Sequence, residues 1–184
     1  ESLDLESKSV ENRGILQSDG HLLLSVTEMD LIHEGGALIA KDQMTLKLEK
    51  GLALLNASIQ SEGDLSISAK DSLHFSAFEQ SSKAFMLSDV DHQAHLLLDV
   101  KGAVMIETDA EFVLKGAELS VGESLKIRAK KALQLITQGY DQTRAAKGEV
   151  VSDSFGSSLS VGSSLSLETE GDLVIEGTQV NSGA

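Results

Sequence analysis

The sequence predicts an all-β solenoid, a single-chain parallel β-helix with coils of about 21 residues and three short strands per coil. Three observations carry this expectation. Apolar and polar residues alternate in short runs such as Leu65-x-Ile67-x-Ala69, Leu73-x-Phe75, Leu125-x-Ile127-x-Ala129 and Leu133-x-Leu135. A period of two sends successive side chains to opposite faces of a strand. The runs also recur at a fixed interval: Leu38, Ile59, Gln80, Leu98, Leu119, Tyr140, Leu159 and Val180 follow one another at steps of 21, 21, 18, 21, 21, 19 and 21. Two further columns keep the same phase, Met44, Leu65, Met86, Val104, Leu125, Ala146, Leu165 and Leu52, Leu73, Phe112, Leu133, Leu173. Strands that share a phase in this way stack coil on coil. Seven to eight coils at a strand spacing of about 4.8 Å make a rod of about 35–40 Å.

Taken in order, residues 1–77 carry the densest pattern. Asn12-Arg13-Gly14-Ile15-Leu16-Gln17-Ser18-Asp19-Gly20 is echoed by Asn56-Ala57-Ser58-Ile59-Gln60-Ser61-Glu62-Gly63. Stacked corners need one bend chemistry, and Gly or Asn at a bend tolerates positive φ. Gly102, Gly122, Gly162 and Gly171 recur at comparable places. The alternation loosens over 76–94, which reads as a degraded coil or a surface loop, and again over 139–158. There YDQTRAAKGEV reads equally as a short helix or an extruded loop. The whole of 1–184 is one β-helical domain on this reading, and its opening and closing in mid-pattern suggest a fragment of a longer rod.

Composition agrees. Hydrophobic residues make up 41% of the chain but aromatics only 3%, which suits a narrow interior of Leu, Ile, Val and Ala. Proline is absent, as expected where nearly every backbone N–H is needed between coils. The lack of Cys removes disulfides and zinc-thiolate sites. A formal charge of −14 argues against nucleic acid or an anionic membrane as partner.

The last segment reads GSSLSVGSSLSLETEGDLVIEGTQV, from Gly156 to Val180. It resembles the haemagglutinin repeats of two-partner-secreted exoproteins, which include filamentous haemagglutinin and contact-dependent inhibition effectors of the CdiA type. VENRGILQSDGHLLL and LLNASIQSEGDLSISA resemble the same repeats, so the likeness covers nearly the whole chain. Val121 and Val161 stand where those repeats commonly have Ala, and Thr169-Glu170 replaces Ala-Gly. The resemblance implies a right-handed coil, export through an outer-membrane partner of the two-partner type, and a secreted, surface-exposed stalk. It further implies adhesion to neighbouring cells or toxin delivery into them, without catalysis, by a monomeric rod. Two other classes fit the same repeat: a trimeric intertwined spike of a contractile injection machine, and a polysaccharide-acting enzyme on a β-helix.

No catalytic, metal or cofactor residue is assigned. Asp89, Asp91, His92 and His95 use metal-ligand chemistry, but His92 and His95 are three apart and point to opposite faces of a strand. Glu107, Asp109 and Glu111 alternate, so one strand would present all three carboxylates outward, the arrangement a sugar-cleaving enzyme would need. Lys126, Arg128 and Lys130, followed by Lys131, form the basic spot of an acidic chain. Placed a coil away from 107–111, they are expected to make a cross-coil charge ladder of about 0.2–1 kcal/mol per pair.

Overall fold

The computed structural model describes residues 1–77, 96–144 and 149–183, with the backbone alone over 138–144 and 149–155. The chain winds as a right-handed parallel β-helix with three seven-stranded parallel sheets. Face I stacks Leu3–Ser7, Leu22–Val26, Met44–Leu48, Leu65–Ala69, Val104–Thr108, Leu125–Ala129 and Leu165–Thr169. Face II stacks Val10–Asn12, Leu31–Glu34, Leu52–Leu55, Leu73–Ser76, Glu111–Lys115, Ala132–Ile136 and Asp172–Ile175. Face III stacks Ile15–Ser18, Ala37–Ala40, Ser58–Ser61, Leu96–Val100, Ala117–Val121, Ser158–Val161 and Gln179–Ser182. Each layer contributes one strand to each face. Seven layers at about 4.8 Å each make a rod of about 34 Å, close to the expected length.

The alternation read from the sequence becomes the core. Met44, Leu65, Val104, Leu125 and Leu165 form one column, Leu52, Leu73, Phe112, Leu133 and Leu173 a second, and Leu38, Ile59, Leu98, Leu119, Leu159 and Val180 a third. Through the middle layers these residues are sealed from solvent. Phe75 and Phe112, both fully buried, meet edge to face with ring centroids 5.1 Å apart within a mainly aliphatic interior. At the last layer Leu173 and Ile175 are about half exposed, because no eighth layer covers them within this chain.

Seven layers agree with the seven to eight coils expected, but the register corrects which residues form the columns. Ile59 pairs directly with Leu98, and Leu65 with Val104, so Gln80 and Met86 drop out of the columns. Leu119 pairs directly with Leu159, and Leu125 with Leu165, which removes Tyr140 and Ala146 as well. The step from Leu65 to Val104 is 39 where a regular coil steps by 21, a surplus of 18. The step from Leu125 to Leu165 is 40, a surplus of 19. These surpluses are close enough to 21 to imitate a coil when only numbers are counted. The second one contains an antiparallel hairpin, Gln138–Arg144 paired with Glu149–Phe155, where a helix or loop was expected. Of the loose stretch 76–94, Ser76 ends a face II strand and Ala77 is buried at the corner, while 78–94 lies outside the described residues.

Glycine at the corners also serves a different purpose from the expected one. Gly63, Gly102, Gly122, Gly162 and Gly171 do not adopt positive φ. A Cβ on Gly122 would lie 2.1 Å from Lys101 O, and one on Gly162 would lie 1.9 Å from Gly122 O. These corners pack backbone directly against the backbone of the layer below, so close approach is the reason for glycine.

Candidate functional site

Between faces II and III the corner residues form a column of their own: Gly35, Asn56, Ala77, Gly116, Thr137 and Gly177. Gly35, Asn56, Gly116 and Gly177 have φ of +65°, +48°, +60° and +58°. One left-handed residue turns the chain from face II to face III without further length. A residue with a Cβ resists that conformation by about 1–2 kcal/mol, with Asn the mildest exception. Ala77 and Thr137 are not left-handed, and these are the two layers at which the chain departs on a detour before returning to face III. Both detours therefore leave one edge of the rod, two layers apart, with the closed Gly116 corner between them. The hairpin 138–155 emerges there, with Ser157 buried at its return and its Oγ donating to Ile136 O at 2.8 Å.

The three outer faces differ in chemistry. Face I carries Lys47, Glu107, Arg128 and Glu168 in one outward column. Face II presents Ile32, Ala53, His74, Val113, Gln134 and Val174. Face III presents Gln17, Ile39, Gln60, Asp99, Ser120, Ser160 and Asn181. The rod is thus charged on one side, part-apolar on the second and mostly amide and hydroxyl on the third.

A trough of about 460 Å³ follows the corner between faces I and II over layers 3 to 6. Lys47, Glu107 and Arg128 line one wall, and Glu49, Lys70, Asp109 and Lys130 the other. The second wall is a register of opposite charges. Lys70 pairs with Glu49, and Lys130 reaches Asp109 at 2.5 Å. The ammonium of Lys130 holds the Asp109 carboxyl below its usual range, and Asp109 raises Lys130 in return. Lys126 turns to the following layer, 2.9 Å from Glu168, and lowers that carboxyl. The corner between faces III and I repeats the device: Lys41 reaches Asp19 at 2.7 Å and depresses it.

The basic cluster and the acidic run are brought together as expected for Lys130 with Asp109 and for Arg128, whose register partner is Glu107. The three carboxylates do not share a strand. Glu107 lies on face I, Asp109 at the corner, and Glu111 on face II, 3.7 Å from His74 Nε2. The alternation continued across a bend that the local pattern did not mark. Asp89, Asp91, His92 and His95 lie outside the described residues. Among the described residues, no group of three His, Cys, Asp or Glu is placed to hold a metal ion, and no helix is long and apolar enough to cross a membrane.

Sequence reading missed the buried polar residues, of which His33 is the ionisable one. Its column runs Asn12, His33, Leu54, Phe75, Leu114, Leu135, Ile175, so a His occupies an inward position otherwise apolar above layer 1. Alternation with Leu31 was the signal that could have placed it inside.

The chain matches no family model, no curated protein and no solved structure. The class is settled by the fold: a parallel β-helical solenoid, consistent with families such as the haemagglutinin repeats.

Proposed function

We propose that this chain is a stalk segment of a secreted bacterial surface exoprotein, exported through an outer-membrane partner of the two-partner type and working in adhesion to, or toxin delivery into, neighbouring cells. The observation that supports it most is the layered register: layers 2 to 6 are paired on both sides within the chain, and the ladder resumes in phase after each detour. Such a structure transmits length and presents side chains without needing a catalytic centre. Each layer touches only its neighbours, so a rod of this kind extends by adding layers. In this role the face II/III edge displays the hairpin to a target-cell surface, while the paired charges keep face I soluble and in register. The rod acts as a monomer and carries no cofactor.

Antibody raised against this chain and applied to intact, unpermeabilised producer cells tests the reading. Surface labelling that disappears when the exporter is deleted is expected. Label confined to permeabilised cells would overturn it, and a particle three times the 19.5 kDa chain mass by light scattering would replace the monomeric stalk with a trimeric spike.

A further inference from the structure

His33 is the one ionisable side chain among the buried residues described. Its side chain is fully buried, in a strand whose layer-3 and layer-4 counterparts are Leu54 and Phe75. Its Nδ1 lies 3.1 Å from Asn12 Nδ2 and 3.2 Å from Asn12 O. Asn12 is committed locally as well, its Oδ1 accepting from Gly14 N and its Nδ2 donating to Gly14 O. Among the described residues no group makes a well-formed hydrogen bond to Nε2, and only the main chain at Asn12 and Ser58 is close enough to favour a charged ring. A buried unpaired nitrogen costs free energy, and a buried unpaired charge costs more.

Among the described residues, none around the ring offers it a carboxylate. Glu11 and Arg13 of layer 1 and Glu34 of the same strand point outward and are tied together through Arg13, at 2.7 Å and 3.4 Å. At the other two corners of layer 2, Glu28 is paired with Lys8, Asp30 accepts from Gly51 N, Lys41 is paired with Asp19, and His21 Nε2 lies 3.5 Å from Asp42. The strands of layer 3 packed against it, Leu52–Leu55 and Ser58–Ser61, contain no charged residue. Burial depresses the imidazole pKa below its ordinary value, opposed only by the main chain at Asn12 and Ser58.

From this geometry we propose that His33 makes layers 1 and 2 an acid-sensitive joint: protonating the ring releases them from layer 3 while the rest of the rod stays wound. Opening uncovers the strand edges Met44–Leu48, Leu52–Leu55 and Ser58–Ser61, which are then available to pair with another chain. The sign follows from the depressed pKa. The unfolded imidazole binds its proton near pH 6.5 and the buried one only at lower pH, so stability is whole above about 6.5 and is lost as pH falls toward the folded value. One proton taken up on opening changes the opening equilibrium about tenfold per pH unit across that window.

Hydrogen exchange of the full chain between pH 7.5 and 4.5, corrected for intrinsic rates, tests the joint. Protection at Leu22–Val26 and Leu31–Glu34 is expected to fall about tenfold per pH unit below 6.5, while Val104–Thr108 and Glu111–Lys115 hold. His33→Leu should abolish that selective loss. Equal losses in layers 2 and 5, or an unchanged selective loss in His33→Leu, would overturn the proposal. Should His33→Leu fail to fold, NMR titration of the wild-type ring decides. A midpoint below the ordinary imidazole range, coincident with layer 2 opening, supports the joint; one at the ordinary value, with layer 2 still protected, refutes it.

Discussion

Removing residues 138–156 and joining Thr137 to Ser157 should leave the rod wound. Gly116 and Ala117 occupy the equivalent places one layer earlier and are bonded neighbours, so the junction reproduces a regular corner and a coil of regular length. The difficulty is the turn residue, because a β-branched Thr must then be left-handed at a cost of about 1–2 kcal/mol. Thr137→Gly removes that cost and gives up one exposed hydrogen bond, Thr137 Oγ1 to Glu176 O at 3.2 Å. In return, shortening the detour to a direct corner is worth at most about 2.5 kcal/mol, taking roughly 0.6 kcal/mol for each halving of loop length. The seven paired positions of the hairpin reduce that gain, since part of the detour is already ordered. The deletion carrying Thr137→Gly should therefore equal or exceed the parent in stability by up to about 2.5 kcal/mol. With Thr137 retained it should fall about 1–2 kcal/mol lower. Urea denaturation followed by far-ultraviolet circular dichroism reads both. A deletion with Thr137→Gly that fails to fold, or loses more than about 1 kcal/mol, would show that 138–156 is part of the winding and that the corner argument is wrong.

The same corner predicts that Asn56→Ala destabilises by about 1–2 kcal/mol, measured by thermal unfolding, because Ala tolerates the left-handed φ of +48° less well than Asn. Phe112→Ala should cost about 3–5 kcal/mol by denaturant titration, since the ring is fully buried in the middle of the rod. Its cycle with Phe75→Leu should return a coupling of about 0.5–1.5 kcal/mol. Gly122→Ala places a methyl 2.1 Å from Lys101 O and should lower stability by about 1–3 kcal/mol, with the loss centred on layers 5 and 6 in hydrogen exchange. In Lys130→Gln the Asp109 carboxyl should titrate closer to the ordinary carboxylate range by NMR; because its folded pKa is depressed, the stabilisation this pair provides is present above that range and disappears on acidification.

Much of the architecture is legible from local chemistry. Leu65, Ile67, Leu73 and Phe75 announce inward positions by alternation alone, and equal spacing identifies the neighbours they meet: Met44 and Leu46, Leu52 and Leu54. The charge ladder is legible for a related reason, since a side chain one coil away is an adjacent rung, as Lys130 and Asp109 show. What failed was counting through the detours. Gln80 and Tyr140 kept the spacing without belonging to the columns, because each detour lengthens the chain by nearly one coil. Glu111 likewise kept the alternation of Glu107 and Asp109 across a corner and ended on another face.

The sequence by itself determined that this is a β solenoid with an aliphatic spine, because inward and outward positions are set by strand geometry within a few residues. Only the tertiary structure decided which segments are layers and which are excursions, that the excursions share the edge where Ala77 and Thr137 are not left-handed, and that His33 is sealed with no well-formed partner for Nε2 among the described residues. Those features depend on which distant strands pair and how closely their backbones approach. A periodicity describes the repeating part of such a contact and is silent about its interruptions.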